Sequence, residues 1–136
     1  MGVFKDDQDV YKYVGGVFEH GVADPVTGPK FVESGVVLRV HYTDPESTVT
    51  VDMPNSKVYN GKDVGPDPNV ELFMTADYGN KFWLGQANLT IGLAKGDVRA
   101  KGPVPKILKL IPAAKSLFGP YREMLQKDGR DDLLNV

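Results

Sequence analysis

Residues Asn69 to Leu125 read NVELFMTADYGNKFWLGQANLTIGLAKGDVRAKGPVPKILKLIPAAKSLFGPYREML. The stretch opens with a strand-like run, Val70 to Thr75. Thr75 is placed to cap a following helix, because its hydroxyl can accept from a free N–H of the first turn. Asp77 falls in that turn, where negative charge suits the helix dipole. The helix carries Tyr78, Phe82, Trp83 and Leu84, and Gly85 is a left-handed stop. A short apolar segment, Leu89 to Ala94, comes next. GDVRAKG then sets Val98 and Ala100 against Arg99 and Lys101, the period of a half-buried strand. After Gly102, Ile107, Leu110, Ile111, Ala114 and Phe118 recur at three- and four-residue spacing and share one helical face. Pro105 suits the first turn of this helix, and Pro112 should kink or divide it. Pro120 opens a last helix with Tyr121, Met124 and Leu125 on one side.

Outward from this stretch, the chain alternates twice more. In GVVLRVHYT, Val36, Leu38, Val40 and Tyr42 face one way and Val37, Arg39 and His41 the other. In STVTVDM, Val49, Val51 and Met53 oppose Thr48, Thr50 and Asp52. With Asp44-Pro45-Glu46 as the turn, these read as an antiparallel hairpin with one wetter face. Lys57 to Asn60 is a short strand, and GKDVGPDP is a loop. Upstream, Val10, Val14 and Val17 share a helical face that Gly15 and Gly16 weaken. A short helical piece spans about Lys30 to Ser34. Five strands with helices before and after give an α+β layer, the helices covering one face of a mostly antiparallel sheet.

The order of these elements resembles the sterol carrier protein type 2 (SCP2) lipid-binding domain family. The similarity is strongest over 69–125, with KGDVRAKG its most specific segment, and extends loosely back to about Val10. The resemblance implies an SCP2-like sheet, with the C-terminal helices and the helix after the fourth strand enclosing an apolar cavity. It also implies a lipid ligand: a sterol, a fatty acid, a fatty acyl-CoA or a similar molecule. The cavity candidates are Phe73, Phe82, Trp83, Leu89, Ile91, Leu93, Val98, Ile107, Leu108, Ile111, Ala114, Phe118, Met124 and Leu125. Each of these, taken alone, also fits an ordinary packed core. Leu108 falls off the main stripe of its helix, so that helix is apolar on more than one side. Lys101, Lys106 and Lys109 are candidates for meeting an acidic headgroup.

Length and composition bound the reading. At 136 residues, with 41% hydrophobic and 25% charged residues, the whole chain is expected to form one globular domain. The net charge of −2 divides unevenly: residues 1–80 hold six Lys/Arg against thirteen Asp/Glu, and 81–136 hold ten against five. The basic half is either a solvated face or an attraction to anionic lipid surfaces. Nucleic acid is not an expected partner, since the chain is acidic overall and has no recognised binding motif. There is no cysteine, which removes thiolate chemistry and fits a reducing compartment. The N-terminal sequence lacks a secretory pattern and LLNV is not a Ser-Lys-Leu address, so a cytoplasmic location is expected.

Catalytic chemistry is not expected. His20 and His41 have no serine or aspartate at a catalytic spacing, and no phosphate-cradling loop is present. Asp128, Asp131 and Asp132 do not have calcium-loop spacing and read as a frayed acidic tail. No cofactor or metal is implied. Two other functions stay open: an accessory protein presenting a quinone- or steroid-type intermediate to enzymes, and an enzyme acting on an acyl-CoA or steroid.

Overall fold

The alternation in GVVLRVHYT becomes β1, Val37–Thr43, whose Leu38, Val40 and Tyr42 are buried while Val37, Arg39 and His41 are partly exposed. The computed structural model describes residues 2–136. The other strands are β2 (Ser47–Asp52), β3 (Lys57–Asn60), β4 (Val70–Thr75) and β5 (Arg99–Lys101). They form one five-stranded sheet in the order β3-β2-β1-β4-β5. The pairs β1–β2, β2–β3 and β4–β5 are antiparallel, and the central pair β1–β4 is parallel. The fold is α+β, with a mostly antiparallel sheet of mixed direction.

Period-2 geometry sorts the side chains of this sheet. Val40 pairs with Val49 and Leu72, so these three lie on one face. His41 pairs with Thr48 and Phe73, on the other. The helices lie against the first face, where the core forms. They are α1 (Asp7–Val10), continued by a π-helical turn at Tyr11–Gly15 into α2 (Gly16–Ala23), then α3 (Thr27–Ser34), α4 (Ala76–Trp83), α5 (Leu89–Lys95), α6 (Val104–Leu108), α7 (Ile111–Lys115), α8 (Phe118–Lys127) and α9 (Asp131–Leu134).

Local chemistry sets several boundaries. Thr75 Oγ1 accepts from the Tyr78 N–H at 3.1 Å, and Asn88 Oδ1 accepts from the Ile91 N–H at 3.1 Å, so α4 and α5 are capped by side chains. Pro105 and Pro112 sit in the first turns of α6 and α7, and the 104–115 stretch is divided at Pro112 into these two short helices. Gly15 permits close approach: a Cβ there would stand 2.5 Å from Asn60 Oδ1 on β3.

Three expectations are corrected. The second strand has no wet face, because every residue of β2 is buried. Thr50 is covered by Arg39, whose Nε donates to Thr50 Oγ1 at 2.9 Å and whose Nη2 donates to the carbonyls of Val64 and Pro66. The 61–69 loop therefore folds back over this part of the sheet. The C-terminal tail is not frayed either: α9 buries Leu133 completely, and Arg130 pairs with Asp9 near the N-terminus. Finally, α8 begins at Phe118, so Pro120 lies inside its first turn and does not open it.

Candidate functional site

Between the inner face of the sheet and the helices lies an apolar pocket with a volume of ≈ 70 Å³. Leu38, Val40 and Tyr42 of β1 and Leu72 and Met74 of β4 form its floor. Phe31 of α3, Met53 and Phe18 of α2 form one side. Gly79, Phe82 and Trp83 of α4, with Leu89 of α5, form another. Ile107, Leu110, Ile111 and Ala114 close it from the α6–α7 segment. Tyr42 and Trp83 carry the only side-chain nitrogen or oxygen atoms in this lining.

Packing explains how the lining is held. The Trp83 ring meets Phe18 edge-on at 5.2 Å and Phe82 at 5.0 Å, and Phe118 stands edge-on to Phe82 at 5.6 Å. Edge-to-face pairs of this kind are favourable and directional, so they orient the wall and do more than fill space. Gly79 makes room for Tyr42: a Cβ at position 79 would lie 2.8 Å from Tyr42 Cε1. Burial pushes the Tyr42 phenol well above its ordinary range, so it stays neutral. Met53 and Met74 are unbranched and flexible, the most adaptable side chains of this lining.

Of the residues expected at a cavity, Phe82, Trp83, Leu89, Ile107, Ile111 and Ala114 are brought together here. The others stand elsewhere. Phe73 is on the opposite sheet face, because the strand alternation that turns Leu72 and Met74 inward turns it outward. There it stacks on the His41 ring at 4.6 Å, with Arg99 and Lys101 over it at 5.4 and 5.6 Å. Lys101 is thereby placed away from the pocket. Ile91 is 53% exposed on the outer side of α5. Val98 is buried beneath α5 beside Gly92, and Leu93 and Leu108 pack half-buried on the core outside the pocket. Phe118 backs Phe82, Met124 faces Gly16 of α2, and Leu125 is buried in the core without reaching the pocket. Lys106 and Lys109 stand with Lys30 and Glu33 around a separate surface groove.

Sequence reasoning missed the floor. Leu38, Val40, Tyr42 and Leu72 belonged to strands whose buried face was legible, and period 2 also turns Met74 inward. Alternation shows that a face is covered without showing what covers it. Phe18, Phe31, Met53, Gly79 and Leu110 carried no signal that separates a pocket wall from a core.

The pocket can accommodate an apolar body and offers little else. The histidines are outside it: His20 is exposed, and His41 Nε2 meets Glu71 Oε1 at 2.9 Å on the outer sheet face. No helix is long and apolar enough to cross a membrane among the described residues.

No protein-family model matches the sequence, and no curated protein is significantly similar to it. Solved structures do match in fold. Sterol carrier protein 2 from Yarrowia lipolytica, in its apo form, superposes with a TM-score of 0.61 at 20% identity, over 75% of this chain and 89% of that one. Sterol carrier protein 2 from Aedes aegypti, in complex with palmitate, gives 0.55 at 19% identity, over 81% and 94%. A UbiJ-SCP2 ubiquinone synthesis protein gives 0.59 at 14% identity, over 79% and 90%. The chain has the SCP2-like fold.

Proposed function

We propose that the protein is a non-enzymatic lipid carrier that holds a fatty acid, sterol, fatty acyl-CoA or similar apolar ligand in the pocket between sheet and helices. The observation that carries this reading is the pocket lining, apolar on every side apart from Tyr42 and Trp83. The fold it shares with a palmitate-bound carrier supports the same ligand class. The energetics suit exchange. Each buried methylene contributes about 0.8 kcal/mol, so ten give roughly 8 kcal/mol before an association cost of some 4–15 kcal/mol. A surplus remains only near the lower end of that cost, about 4 kcal/mol, which is a weak and readily exchanged affinity that needs no catalytic group. Lys106 and Lys109, exposed beside Lys30, would draw the protein toward anionic membranes and speed encounter more than they strengthen binding. On this reading the chain acts as one domain in the cytoplasm.

Native mass spectrometry of the purified protein, with and without palmitate, tests the proposal. A stoichiometric lipid adduct and a ligand-dependent rise in melting temperature are expected. Absence of both sinks the carrier reading.

The likeness to the ubiquinone synthesis protein favours a second reading, in which the same pocket presents a quinone-type intermediate to enzymes. A stable complex with such enzymes, in place of free lipid exchange, distinguishes it.

A further inference from the structure

The apolar pocket shares three walls with a second, surface pocket of ≈ 290 Å³: Phe82, Leu89 and Ile111 line both. The far side of this outer pocket is polar, built from Gln86 and Asn88 of the α4–α5 turn, Thr90 of the first turn of α5 and Lys115 of α7. Phe82 and Ile111 are half-buried, so each has one side toward the interior and one toward solvent. The Lys106–Lys109 groove, by contrast, shares only Leu110 with the interior.

From this continuity we infer that ligand passes between the α4–α5 turn and the α7–α8 segment, and that its polar end rests on Gln86, Asn88, Thr90 and Lys115. This rests on the carrier reading above. Phe82 and Ile111 form the gate: the Phe82 ring, edge-on to Phe118 at 5.6 Å, lines both spaces and stands between them. The rim also selects the ligand. Lys115 is the one cation lining this pocket, and it has no ion-pair partner among the described residues. Gln86 and Thr90 add neutral hydrogen-bonding groups. That set suits a single small carboxylate. A headgroup of several phosphates would instead favour the three-lysine groove, which is joined to the interior by one side chain only. Among the ligands that the carrier reading allows, the Lys115 rim favours a fatty acid over an acyl-CoA.

Spin-labelled stearates locate the two ends of the ligand in the isotope-labelled protein. A nitroxide at carbon 5, near the carboxylate, is expected to broaden the amide resonances of Gln86, Ala87 and Thr90. A nitroxide at carbon 16 is expected to broaden Leu38 and Val40. Broadening of Lys30, Glu33 and Lys109 by the carbon-5 label, with Gln86 to Thr90 sharp, overturns the portal and leaves the carrier standing. Absence of saturable broadening from either label, with no adduct by native mass spectrometry, removes the carrier reading and the portal with it. Lys115→Gln is expected to weaken stearate about two- to fivefold, the scale of an exposed ion pair, while leaving methyl stearate unchanged. Equal stearate affinities for wild type and variant overturn the carboxylate contact.

Discussion

The Tyr121 hydroxyl donates to Asn80 Oδ1 at 2.6 Å, and both side chains are fully buried. Asn80 Nδ2 in turn donates to the Leu133 carbonyl at 3.0 Å. One amide thus joins α4, α8 and α9 behind the pocket wall. Burial pushes the Tyr121 phenol far above its usual range, so it remains a donor at any working pH.

Tyr121→Phe leaves the Asn80 oxygen buried without its donor. The expected cost is about 1–3 kcal/mol, read as a lower urea midpoint with an unchanged slope. The double variant Tyr121→Phe/Asn80→Ala should be less destabilised than the sum of the singles, because the two groups form one network. Additive losses contradict that coupling.

Acid should loosen the C-terminus first. Arg130 donates to both Asp9 oxygens, at 2.6 and 2.8 Å. This guanidinium holds the Asp9 carboxyl below its ordinary value of 3.8. A carboxyl depressed in the folded state contributes stability above its unfolded value, and that contribution is lost as pH falls through the folded value. The Asp9 contribution should therefore be complete above about pH 4 and fade below it. Asp9→Asn should lower stability at neutral pH and flatten the decline between pH 4 and pH 2. Parallel pH–stability curves for wild type and variant would argue against it.

Filling the pocket should block binding without unfolding the protein. Ala114 lines the pocket from α7, so Ala114→Leu projects its extra carbons into free space. Wild-type Trp83 emission should change saturably with palmitate, and the melting temperature should rise; ligand at 100 Kd adds about 2.7 kcal/mol. The variant should lose both responses at less than the roughly 1–3 kcal/mol that overpacking a filled core costs. A clearly destabilised variant that still binds palmitate would place the ligand elsewhere.

Charge reversal at the lysine groove should affect kinetics. Lys106→Glu with Lys109→Glu should slow transfer of palmitate to anionic vesicles and reduce its salt dependence, with equilibrium affinity unchanged. Equal transfer rates at low salt would remove the membrane role.

The strands were legible because alternation is a local signal: GVVLRVHYT and STVTVDM announce their buried faces within a few residues. Thr75 and Pro112 acted as boundary markers for the same reason. The pocket was only half legible. Period 2 was sufficient to turn Phe73 outward and Leu72 and Met74 inward, yet apolarity alone drew attention to Phe73. The C-terminus was illegible in principle. Arg130 meets Asp9 across 121 positions and Leu133 is held by Asn80 across 53, so DDLLNV reads as a tail until the fold supplies its partners.

The parallel seam between β1 and β4 divides the work of building the pocket. Residues before the 61–69 loop supply Phe18, Phe31, Met53 and the β1 floor; residues after it supply the β4 floor and the remaining walls. Each half is an open dish, and only the pair makes a vessel. A chain severed within that loop would yield two pieces, neither able to retain a greasy guest alone. Guest retention would then report their reassembly, which suits this scaffold to fragment complementation, with a fluorescent fatty acid as the signal.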